Sequence, residues 1–106
     1  MRNKLKVITV CGSLKFKKEI IETAVRLETA GNVALIPVFP DNEVVLTEDE
    51  IKMLGKMHKE KIKLSDAVFI VNVDGYIGKS TKSEINFAKS LNKEILYYMQ
   101  PQNNPA

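Results

Sequence analysis

Apolar positions along the chain gather in four short runs, residues 5–11, 33–39, 67–73 and 95–99. Each is nearly continuous in aliphatic and aromatic residues rather than alternating with polar ones, the pattern of strands buried on both faces. Between the runs the period becomes helical. Residues 15–30 bring Phe16, Ile20, Ile21, Ala24, Val25 and Leu27 to one side, and Gly31 ends the segment. Residues 48–64 follow Thr47, which forms a capping box with Glu50: hydroxyl and carboxylate satisfy free N–H groups reciprocally. The stripe behind the box is Ile51, Leu54, Met57 and Ile62. Residues 82–92 turn Ile85, Ala88 and Leu91 inward.

Strands joined by connections of helical length run parallel, with right-handed crossovers. The expectation is one domain over residues 1–106. Its class is α/β, a small doubly wound, Rossmann- or flavodoxin-like three-layer sandwich on a mostly parallel four-stranded sheet. Ligands of such sheets bind outside the carboxyl ends of the strands where strand order reverses. That directs attention to the loops at 11–15, 37–45 and 72–83, while the polar, proline-bracketed tail at 101–106 is expected to fray.

Composition narrows the function classes. With 44% hydrophobic and 27% charged residues the chain falls among globular proteins rather than disordered ones. No stretch approaches the ~20 apolar residues of a membrane span, and the basic N-terminus has no cleavage site behind it, so a cytoplasmic location is expected. A net charge of +3, no Trp, and a basic run limited to Lys15, Lys17 and Lys18 argue against nucleic acid as a partner. One Cys and one His in different segments suggest no metal cluster, and no cofactor is implied.

Two loops carry candidate chemistry. In Cys11-Gly12-Ser13-Leu14-Lys15, glycine lets backbone approach a ligand, serine offers a hydroxyl and lysine a charge. Ser13 reads equally as an N-cap, and Cys11 as a small apolar core residue. The second loop runs from Asn72 through Asp74, Gly75, Gly78, Lys79 and Ser80 to Glu84. Thr81 and Glu84 fit a capping box, yet Glu84 shares a helix face with Ala88 and Leu91, which turns it toward the sheet edge. A carboxylate partly desolvated in a cleft has a raised pKa and serves as nucleophile or base. His58, on the flank of an apolar stripe, reads as a hydrogen-bonded boundary residue or as a catalyst; Asp41 and Glu43 face the cleft or make a turn.

With these residues laid out, the sequence resembles the nucleoside 2-deoxyribosyltransferase-like superfamily, including the deoxynucleoside 5'-monophosphate N-glycosidases. The matching pieces are residues 10–15, 64–69 and 75–81 with Glu84-Ile85, in family order and spanning roughly residues 5 to 100. The resemblance implies that Glu84 attacks the anomeric carbon of a deoxyribosyl group, the base leaves, and water or a second base resolves the glycosyl-enzyme. It implies a phosphate site at Gly12, Ser13 and Lys15 with Ser80 opposite, and Gly78 and Asp74 complete the candidate binding set. A family tyrosine of the first strand corresponds to Thr9, and a helix aspartate to His58, which implies an imidazole general acid. The expected partners are a small nucleoside or nucleotide and further copies of the chain, in a homodimer or higher homo-oligomer. The alternative is a non-catalytic protein that binds a nucleotide or nucleotide signal in the same cleft.

Overall fold

The computed structural model describes residues 5–101; the N-terminal reading before Leu5 and the expected fraying beyond Pro101 lie outside the described residues. Strands β1 (Val7–Gly12), β2 (Val33–Leu35), β3 (Ala67–Val71) and β4 (Glu94–Tyr97) alternate with helices α1 (Lys17–Thr29), α2 (Glu48–Lys63) and α3 (Lys79–Ser90). Short 3-10 turns, Leu14–Phe16 and Val73–Gly75, follow β1 and β3. The sheet is all parallel in the order β2-β1-β3-β4, so the chain steps outward from β1 to β2 and then returns to the other side of β1. This is the doubly wound α/β arrangement expected, with its switch point between β1 and β3.

Side chains of β1 alternate between two cores. Val10 packs with Ile20 of α1 and Val71, backed by Phe16, Leu27 and Phe69. Cys11 packs on the opposite face with Ile62 of α2 and Ile85 and Ala88 of α3. Helix α1 thus covers one face of the sheet and α2 with α3 the other. Of the apolar side chains expected inward, Ile21 and Val25 of α1, Ile51 and Met57 of α2, and Leu91 after α3 are exposed.

Strand β2 is shorter than its apolar run. As an edge strand it pairs with β1 only over Val33–Leu35, and Pro37 and Pro40 cannot donate to a ladder. Lys61 of α2 reaches across instead, its Nζ donating to the Ile36 carbonyl at 2.7 Å. Strand β4 is extended by a side chain: the buried Asn72 amide donates to the Met99 carbonyl at 2.8 Å and accepts from the Met99 N–H at 2.9 Å. The Thr47–Glu50 capping box is present, with both reciprocal bonds. The box expected at Thr81–Glu84 is not, because α3 begins three residues earlier: Gly78 is the N-cap and Thr81 is already helical.

Thr9 is fully buried; its hydroxyl, the Ser65 hydroxyl and the Lys61 carbonyl lie within hydrogen-bond distance of one another, two hydroxyl protons serving three contacts, so the end of α2 is tied to β1 one turn beyond His58. Gly12 closes β1 where it meets β3. A Cβ there would lie 3.0 Å from the Val71 carbonyl oxygen and 3.2 Å from the Val71 Cβ. The Gly12→Ala variant is expected to lose about 1–3 kcal/mol, the usual cost of overpacking a filled site, read as a lower urea midpoint at unchanged slope.

Candidate functional site

A cleft of about 680 Å³ opens over the carboxyl ends of β1 and β3. One wall is the loop after β1, from Gly12 to Leu14; facing it is the start of α3, from Gly78 to Thr81. Pro37, Val38, Pro40, Val44 and Leu46 form an apolar rim, and α2 contributes Ile51, Leu54, Gly55 and His58. Glu84 belongs to the lining. An apolar cleft with a few convergent polar groups is the usual form of a small-molecule site.

His58 and Glu84 line the cleft, and Cys11 is buried beneath them, the ligand-type atoms of the three all lying within 4.8 Å of one another. Separation along the sequence had suggested no such cluster. The two crossovers that stack α2 and α3 on one face of β1 create it. Glu84 lies in the second turn of α3, not the first, so its carboxyl points past the helix start and down toward Cys11. Its side chain is only 16% exposed, and that of His58 only 7%.

Burial dominates the titration of all three. It pushes Glu84 up from 4.5 to about 7, against the opposing hydrogen bond from Cys11 and the positive charge of Lys59. It pushes His58 down from 6.5 to about 4, with the charge of Lys61 acting in the same direction. The Cys11 thiol is raised well above its ordinary value by burial, then by the charge of Glu84 and their hydrogen bond. His58 Nε2 is 3.8 Å from Glu84 Oε1. Between about pH 4 and 7 both groups are uncharged, so this contact is not an ion pair there. Among the described residues, neither ring nitrogen of His58 has a hydrogen-bond partner. A general-acid role needs an imidazolium, and burial keeps the ring of the free protein neutral at neutral pH.

Among the candidate binding residues, Gly12, Ser13, Gly78 and Ser80 line the cleft. Ser13 is also the N-cap of the turn after β1, its Oγ accepting from the Lys15 N–H at 3.4 Å. Lys15 and Asp74 are not brought there. The Lys15 ammonium sits 3.5 Å from the centroid of the Tyr76 ring, which lines the cleft while Lys15 does not. Asp74 is exposed in a left-handed conformation (φ 54°), its N–H directed at Met99 Sδ. Among the described residues, the cation that does line the cleft is Lys79. Gly78 caps α3 without a side-chain bond, so the first N–H groups of this helix face the cleft free of a side-chain cap.

No protein-family model matches the chain, and no curated protein matches it. Among solved structures the chain is similar to that of a conserved protein from Enterococcus faecalis, at 15% identity and a TM-score of 0.62. The match covers 89% of this chain and 63% of the other, so the chain spans less than two thirds of that protein's length. At this identity the likeness is one of fold.

The two perturbed groups act on stability with opposite signs. The raised Glu84 pKa favours the folded state below about pH 4.5, an advantage lost as pH rises to about 7. The lowered His58 pKa favours the folded state above about pH 6.5, an advantage lost as pH falls to about 4. In the wild type the two oppose each other. Glu84→Gln is therefore expected to lose stability on acidification from 6.5 to 4, and His58→Asn on alkalinisation from 4.5 to 7, each by about 1–3 kcal/mol. Urea midpoints across pH measure both slopes, and wild-type-like slopes in both variants would contradict a buried, neutral pair.

Proposed function

We propose that the protein cleaves the N-glycosidic bond of a nucleoside or nucleoside 5'-monophosphate, or transfers the deoxyribosyl group, with Glu84 as nucleophile. The observation that carries this reading is the largely buried Glu84 carboxyl at the floor of a cleft sized for a small molecule. In its ionised form Glu84 attacks C1' of the sugar. The C1'–N bond breaks, the base departs with the bonding pair, and a glycosyl ester forms. Water, or a second base, then displaces the carboxylate from C1'. His58, uncharged at neutral pH, is placed to accept a proton from that water.

The uncapped start of α3, with Ser80 and Lys79, and Ser13 from the facing loop support a 5'-phosphate at the rim. The apolar side chains between them suit the flat faces of a base and the sugar edge. Lys15 supports this only at a distance, through Tyr76.

The test is chromatographic: nucleosides and 5'-monophosphates, ribo and deoxy, are incubated with the protein, with and without a second free base. Released or exchanged base is expected. Glu84→Gln should abolish it, a loss of about 10³-fold or more for a missing nucleophile, while ligand-dependent thermal stabilisation survives. The rate should rise as pH is taken up through about 7, because only the carboxylate attacks. No release from any substrate, with thermal stabilisation retained, would instead establish a nucleotide-binding protein.

The exposed side chains Met53 and Met57, one turn apart on α2, support a homodimer in which this face is covered. Sedimentation at micromolar concentration is expected to give twice the chain mass; a monomer would refute the pairing.

A further inference from the structure

We propose that Cys11, His58 and Glu84 form a binding site for a thiophilic divalent cation of the Zn²⁺ class, with one coordination position open toward the cleft. The site goes beyond the glycosyl reading and does not depend on it.

Its donors come from β1, α2 and α3, one each of sulfur, imidazole nitrogen and carboxylate oxygen, all within 4.8 Å of one another. Tetrahedral zinc, with bonds of about 2.0–2.3 Å, sets its ligand atoms roughly 3.5 Å apart. The widest separation must therefore shorten by on the order of 1 Å, a shift that small side-chain rotations at the three residues supply. Two further observations point to a ligand here. His58 is 6% exposed, and both its ring nitrogens are buried without a hydrogen-bond partner among the described residues. Such groups are rare in folded proteins because each forgoes its hydration for nothing in return. A metal bond at Nε2 would supply the missing partner on the side that faces Glu84.

Charge selects the cation. Cys11 binds as thiolate and Glu84 as carboxylate, two negative charges matched to a dication; the thiol proton, and any proton on the carboxyl, go to solvent. The apolar shell of Ile62, Val68, Ile70 and Ile85 around Cys11 strengthens that attraction. The cationic neighbours are turned to other partners: Lys59 donates to the Ser83 hydroxyl at 3.2 Å and Lys61 to the Ile36 carbonyl. Sulfur and imidazole donors favour Zn²⁺ over Mg²⁺ or Ca²⁺, which take oxygen. Three protein ligands leave the fourth tetrahedral position to water or a cleft ligand. A bound cation engages Glu84, so metal loading and nucleophilic attack by that carboxylate exclude each other.

The chain has one Cys and one His, which makes the spectroscopy unambiguous. Tag-free protein is stripped with chelator and titrated with Co²⁺. The expected result is a thiolate-to-cobalt charge-transfer band and intense tetrahedral d–d bands, saturating at one equivalent and bleached by one equivalent of Zn²⁺. In Cys11→Ser the charge-transfer band should vanish. In His58→Asn the affinity should fall about 100-fold or more, since outer-sphere changes alone cost 10–100-fold. Circular dichroism establishes that each variant is folded, and the wild-type spectrum decides the thiolate even where one is not. Absence of the charge-transfer band in the wild type would overturn the site. So would Co²⁺ affinity unchanged in a folded His58→Asn protein. None of these readouts requires turnover, so failure of the metal site and failure of the glycosyl chemistry are separately visible.

Discussion

The structure depends on the close approach of β1 and β3 at their carboxyl ends. Gly12 lies against Val71 with no room for a side chain, and the next residues diverge, one loop to the 3-10 turn before α1 and the other to the turn before α3. Because α1 is sent to one face and α3 to the other, the two loops part and leave a crevice. The cleft is thus a consequence of topology, and beneath it lies the last inward side chain of β1, which in this chain is Cys11.

Placing three ionisable groups there has an electrostatic cost. Burial resolves it by keeping the thiol and the imidazole uncharged and the carboxyl poised near neutrality. The same desolvation that makes the trio expensive makes the Glu84 carboxylate more basic once ionised. Holding the trio in place falls to ordinary structural bonds: Thr9 and Ser65 on the Lys61 carbonyl fix the end of α2, and Lys61 in turn holds the edge of the sheet.

Much of this was legible in the sequence. The continuous aliphatic runs gave four strands, and the Thr47–Glu50 box marked the start of α2 because both halves are local. Glu84 was drawn to the sheet edge by its spacing to Ala88, which survives the earlier start of α3 since helical phase does not depend on the first residue. What depended on three-dimensional reach was not legible. Lys15 and Lys79 are both lysines beside a glycine-serine loop; only packing of Tyr76 decides which one reaches the cleft. The Asp74 side chain leaves because its backbone turns left-handed. The gathering of Cys11, His58 and Glu84 has no local signal at all, since it is made by two crossovers; a lone Cys at the inward end of β1, read together with the face of α2 opposite, would have been the one clue.

The Asn72 side chain stands where another strand's main chain would be, holding both the N–H and the carbonyl of Met99. An edge strand usually frays one residue at a time, each step breaking a single bond. Here release of the last residue must break two bonds to a buried amide, while Tyr98 remains bonded to the Ile70 carbonyl. Peeling from this edge therefore begins with the loss of a coupled pair of bonds rather than of one.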